Sequence, residues 1–206
     1  MQANGEIEMK INTKVLQAAM LCAAKNDMRY YLNGVLIDFK NKRIATTNGH
    51  VLFVSHDAFE IEEFEQSEII VPYSTMDFIV KRAVKLKSEF VEVEIHDKLT
   101  EESSDYIYTI SAKDDDHRMF GGTIEVFKPI NGKFPNIMNV LSKWENKDTK
   151  DVGFCGAYLE LINKVSKVLK CQYPHIQLGG RDGALMINFE EFGNSDLYVM
   201  PARAEK

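Results

Sequence analysis

Proline, cysteine and tryptophan are scarce in this chain: five, three and one among 206 residues. Few prolines leave long stretches free for regular structure, since proline breaks helices and sheet ladders. Cys22, Cys155 and Cys171 are odd in number and scattered, which excludes a disulfide-stapled scaffold and fits free thiols in a reducing cytoplasm. No stretch reaches the roughly 18 apolar residues that span a bilayer, so no membrane segment is expected. The opening MQANGEIEMK has neither the basic start nor the apolar centre of a secretory signal. There is no GxxxxGK[ST], no GxGxxG after a strand, no HExxH and no CxxC, which removes the usual nucleotide and metal motifs. The five histidines have no ligand spacing. Asp114, Asp115 and Asp116 read as a solvated turn, because they lack the pattern of a calcium loop. Neither His50 nor Asp182 has a second catalytic group paired to it by motif, so an enzyme is not expected. Cations are not in excess either. A net charge of −6 excludes a protein coated in positive charge but leaves room for a local basic face.

Apolar residues make up 45% of the chain, enough for a sizeable core in one large or two small domains. The stretch Arg29–Val54 organises the rest. It reads as a three-strand meander, YYLNGVLIDF, RIATT and HVLFV, with Asn48-Gly49 as a two-residue mirror-image hairpin turn. Before it, EIEMKI alternates as a strand. NTKVLQAAMLCAAK then carries one apolar helical face behind the capping residues Asn12 and Thr13. The strand–helix–three-strand pattern recurs. EIIVP is followed by a helix in YSTMDFIVKRAVKLK capped by Ser74 or Thr75, then by strands in EFVEVEIH, YIYTISA and MFGGTIEVF. It recurs once more as DVGFC, a helix in GAYLELINKVSKVLKC, and strands in HIQLGG, ALMINF and LYVMP. HDAFEIEEFEQ reads as an acidic loop. The segment 128–150, with two prolines and a charged run, reads as a linker. The expected class is α+β: three βαβββ units with helices on one face of antiparallel sheets, a complete domain over 1–140 and a half domain over 141–206.

Basic residues gather on the helices and acids in the connectors. Helices that bury their apolar faces on a sheet would therefore align Lys14, Lys25, Lys81, Arg82, Lys85, Lys164 and Lys167 on one positive surface. Such a surface attracts phosphate backbones without reading sequence. A plain solvated lysine face is the alternative reading of the same pattern.

Several segments are more specific. RYYLNGVL followed by ATTNGHVLFV resembles the central domain of the bacterial β sliding clamp, the processivity subunit of DNA polymerase III. IIVPYSTMDFIVKRA is similar to that domain's second strand and helix, and NGKFPNIMNVL to its closing segment. DVGFCGAYLELINKVSKVLKC and LYVMPAR resemble the last half of the clamp's third domain. The resemblance implies a DNA clamp fold with three of the six units of a full-length subunit, without the family's first domain and the first half of its third. It implies no cofactor, metal or catalysis. It also implies a groove that takes peptide segments with hydrophobic anchors. By motif, Leu32, Thr47, Gly49, His50, Leu52, Pro135, Val140, Tyr158, Val199, Met200, Pro201 and Arg203 would form it. Val51 and Asn139 stand where the family usually has arginine or a similarly long residue, so a less basic rim is expected. Asn26, Arg29, Tyr30 and Tyr31 match a segment that faces the ring's channel and join the lysines as DNA contacts.

The expected protein is a cytoplasmic, non-enzymatic replication factor. Its partners would be duplex DNA, a polymerase, clamp loader or repair protein, and further copies of itself, four if the family's twelve units are matched. The alternative is a clamp mimic that keeps the groove, never encircles DNA, and competes for clamp-binding peptides.

Overall fold

A computed structural model describes residues 7–61, 64–96, 106–113, 122–147, 152–190 and 194–202. The first unit runs β1 (Ile7–Asn12), α1 (Thr13–Cys22), β2 (Gly34–Asp38), β3 (Arg43–Thr47) and β4 (Val51–Ser55). The second runs β5 (Glu68–Pro72), α2 (Tyr73–Leu86), β6 (Phe90–His96), β7 (Ile107–Ala112) and β8 (Thr123–Phe127). A short helix, α3 (Met138–Leu141), precedes α4 (Gly156–Leu169), β9 (His175–Leu178), β10 (Leu185–Phe189) and β11 (Ser195–Val199). Among the described residues no helix is long and apolar enough to cross a membrane.

The strands form two antiparallel sheets, ordered β1-β6-β7-β8 and β5-β2-β3-β4-β11-β10-β9. The first two units exchange their leading strands. β1 pairs with β6 of the second unit, Met9 opposite Val93, and β5 pairs with β2 of the first, Ile69 opposite Ile37. The third unit joins the first through β11 and β4, with Val199 opposite Val51 and Ser195 opposite Ser55. All three long helices share one side, and α1 packs against both α2 and α4.

The larger core lies between helices and sheets and centres on Met9, Ile11, Leu16, Phe53, Met76, Ile79 and Phe189. A second core covers the opposite face of the long sheet, where Leu36, Leu52, Ile70 and Tyr198 meet Phe134 and Ile137. β2, β4 and β11 are therefore buried on both faces, which explains why GVLID and VLFVS are continuous apolar runs rather than alternating ones.

Local structure departs from expectation at named points. The segment 128–147 is a packed layer rather than a loose linker, because Phe134 and Ile137 are buried under the sheet and the Trp144 indole donates to the Ala184 carbonyl at 2.9 Å. Asn48-Gly49 is not a mirror-image turn. Gly49 alone of the pair has positive φ, and Asn48 Oδ1 instead accepts from the His50 and Val51 amides at 2.9 and 3.0 Å. Tyr30–Leu32 is a 3-10 turn, not strand; Asp27 and Asn33 tie its base by two hydrogen bonds of 2.8 Å. α1 ends at Cys22, so Lys25 lies beyond it: the Ala24 amide turns away to the Thr47 carbonyl at 3.3 Å. Asn12 caps α1 as expected, accepting from the Lys14 amide at 2.9 Å. Pro72, with no side-chain bond, rather than Ser74 or Thr75, stands at the α2 N-cap.

The largest departure is in the third unit. Residues 152–155 form no strand, and the unit is αβββ rather than βαβββ. The expected strand start at 119–121, the turns at 97–105 and 114–118, and Asp151 lie outside the described residues.

Candidate functional site

A cavity of about 220 Å³ opens where β4, the 3-10 turn and the 135–140 segment converge. Its wall is assembled from distant stretches: Leu32 from the turn, Thr47 to Leu52 from the hairpin, Pro135, Ile137 and Val140 from the outer layer, and Met200 from the end of β11. Backbone and side-chain bonds fix the hairpin tip. Thr47 Oγ1 donates to the Val51 carbonyl at 2.6 Å and accepts from the Gly49 amide at 3.0 Å. The Met200 amide donates to the His50 carbonyl at 2.9 Å, which holds the two unit ends together at the cavity. The His50 ring stacks on Tyr158 of α4, with centroids 6.2 Å apart and planes 27° apart. Partial burial pushes the Tyr158 phenol up, and nearby Cys155 adds to the effect.

Arg29 borders the same cavity. Its guanidinium pairs with Asp27 at 2.8 Å and reaches the Asn48 carbonyl at 3.4 Å. The hydrogen bond from this guanidinium holds the Asp27 carboxyl at about 2, well below its ordinary 3.8. Gly49, at φ 90°, is required here: a Cβ would stand 2.9 Å from Arg29 Nη2.

A second cavity, about 510 Å³, adjoins the first and shares Val140 and Met200 with it. Asn139, Lys143, Trp144, Arg181 and Asp182 complete it. Val51 is a buried strand residue and cannot act as a rim cation; Arg29 is paired with Asp27, and Lys143, Lys147 and Arg181 line the second cavity beside Glu145 and Asp182.

The structure brings Leu32, Thr47, Gly49, His50, Leu52, Pro135, Val140 and Met200 around one hollow. Tyr158 joins through its stack on His50. Val199 is fully buried beneath, within β11, and Pro201 is half-buried just past Met200. Arg203 lies outside the described residues. Arg29 and Tyr31, expected among DNA contacts, line the cavity. Ile137 and Trp144 were not among the expected residues. Ile137, Val140 and Trp144 fall at helical spacing, a signal hidden in a stretch that reads as linker.

The cationic face is thinner than a lysine count implies. Lys81 pairs with Asp77 at 2.5 Å and Lys164 with Glu160 at 2.8 Å, each one turn away on the same helix. Lys25 sits over the Tyr73 ring and Arg82 over the Phe78 ring, each at 5.8 Å. Lys85 and Lys167 are exposed, Lys14 is half-buried, and Asn26 and Tyr30 project from the loop after α1.

The second cavity is lined by charges of both signs, with Lys147 paired to Glu145 at 3.2 Å. The wall of the first cavity is mostly apolar with a few polar edges, the build of sites that take up apolar side chains in general. The fold is a scaffold of repeated strand–helix units with an apolar hollow at their junction. Its sequence agrees: residues 6–136 match the model of the DNA polymerase III beta subunit, central domain, and the chain belongs to that family of non-enzymatic processivity subunits.

No curated protein matches the chain in sequence. Among solved structures, the Pseudomonas aeruginosa sliding clamp superposes with a TM-score of 0.65 at 17% identity, over 96% of this chain and 66% of that one. The Caulobacter crescentus β sliding clamp gives 0.67 at 14% identity, over 99% and 68%. A DNA polymerase III beta subunit from Eubacterium rectale gives 0.65 at 14%, over 98% and 67%. These matches establish the clamp fold, and the chain spans about two thirds of the length of those relatives.

Proposed function

We propose that this chain acts as a sliding-clamp-like processivity factor. It self-associates, contacts duplex DNA without sequence preference through the faces of α1, α2 and α4, and holds peptide segments of a polymerase, clamp loader or repair protein in the paired cavities. The groove carries this reading: segments 60 or more residues apart, at 29–52, 135–140 and 200, converge on one apolar hollow. The adjoining cavity gives room for several residues of an extended peptide beside a buried anchor. The division 1–140 and 141–206 goes with this reading, the groove lying at the seam between the two.

Duplex binding measured against salt tests the DNA part. Observed affinity is expected to fall linearly in log–log form, by about 0.9 per phosphate contacted. Reversing Lys85 and Lys167 together, two exposed cations outside the intrahelical ion pairs, should lower that slope by about 2. An unchanged slope overturns the assignment of this face. Binding of an anchor peptide with no salt-dependent retention on circular DNA would favour the competing clamp mimic.

A further inference from the structure

The third unit exposes side chains at positions that the first two units bury. The fourth residue of α1 is Leu16 and that of α2 is Met76, both 0% exposed, whereas that of α4, Leu159, is 52% exposed. α2 and α4 end alike. Lys87 and Lys170 both adopt the left-handed conformation, and the next residues, Ser88 and Cys171, donate to Ala83 and Ser166 at 2.9 and 3.0 Å. Counting from those caps, Val93 corresponds to Ile176, and exposure rises from 0% to 55%.

What covers these positions in the complete pair is the exchanged strand. β1 lies on β6 with Met9 opposite Val93, and it supplies apolar side chains two and four residues ahead of its helix, Ile11 and Met9. β5 supplies Val71 and Ile69 from the same two positions. Ahead of α4 those positions hold Phe154 and Val152. The third unit thus contains both halves of the exchange, a donor segment at 152–155 and an acceptor edge at β9; among the described residues no strand pairs with that edge, and Lys147 touches it only at its far end, its amide donating to the Leu178 carbonyl at 2.8 Å. The donor is set for it. The Gly153 carbonyl accepts from the Ala202 amide at 2.8 Å, and in an extended segment the backbone groups of Val152 and Phe154 then face the other way. Pro174, opposite Phe154 in this register, contributes no amide, so it can only accept from the Phe154 amide, and the two-way pair is Val152 with Ile176.

We propose that a second copy of this chain completes the third unit: each copy lays residues 152–155 on the other's β9, Val152 opposite Ile176, and the two α4 helices cover each other's Leu159. A unit that is donor and acceptor at once closes with its own copy about a two-fold axis. This rests on the self-association reading above and specifies its interface.

The test uses the full chain. With Cys155→Ser to remove the exposed thiol, Val152→Cys and Ile176→Cys together should give a covalent dimer under mild oxidation that dithiothreitol reverses. Separately, Ile176→Asp with Leu159→Asp should halve the native mass seen by analytical ultracentrifugation. Both residues are exposed in the single chain, so the thermal transition should hold. An oligomeric parent whose mass these aspartates leave unchanged, or one that gives no covalent dimer, overturns the exchange and leaves self-association standing. A parent that stays monomeric at high concentration overturns both.

Discussion

Met200 offers the cleanest test of the groove. It borders both cavities and is only half-buried, unlike Leu52, which shares the site but is 4% exposed and sits in a core strand. Replacing Leu52 would damage the fold and the groove together, by about 2–5 kcal/mol. Met200→Ala removes a half-covered side chain that a bound anchor would bury fully. Complete burial of a Met side chain is worth about 1.5–3 kcal/mol, so the loss at the groove is about half of that, roughly 0.8–1.5 kcal/mol. At about 1.4 kcal/mol per tenfold, affinity for a short peptide with Leu and Phe anchors should fall about 4- to 12-fold. Fluorescence anisotropy with a labelled peptide reads this directly, with the unfolding temperature as control. A dissociation constant within about twofold of the parent's would refute the groove assignment. So would a loss of affinity matched by a large drop in unfolding temperature, since the effect would then lie in the fold.

Two further outcomes follow from the hairpin beside the groove. Gly49→Ala forces a side chain into positive φ against the Arg29 guanidinium, which should cost about 1–2 kcal/mol and lower the unfolding temperature by about 2–8 °C in a chain of this size. The Asp27 carboxyl is depressed by its bond to Arg29, so the stabilisation it gives is present above about pH 4 and is lost as pH falls toward about 2. An NMR titration should place its midpoint near 2, and Arg29→Ala should return it toward 3.8.

Much of the fold is legible in local pattern. α2 and α4 appear where apolar residues recur at helical spacing, and nine of the twelve strands read from the sequence start and stop close to the observed limits, a tenth stopping correctly with its expected start outside the described residues. The YYL turn failed that test. Its aromatic run reads as strand, but the Asp27–Asn33 bonds set its geometry, and they join residues six apart. DVGFC failed for another reason. Its alternation is strand-like, yet a strand needs a neighbouring edge, and no pattern within five residues says whether the chain supplies one. The groove was legible only through resemblance to a known family. Leu32, Pro135 and Met200 are ordinary apolar residues by any local criterion.

The sequence alone determined the repeated unit, the positions of its helices and the absence of a catalytic motif, because periodicity and turn chemistry act over a few residues. Tertiary structure decided which strands changed places, that residues 128–147 roof the long sheet, and that Arg29 stands at the groove. Those outcomes depend on contacts between segments far apart in the chain, and the spacing of residues along one segment carries no record of them.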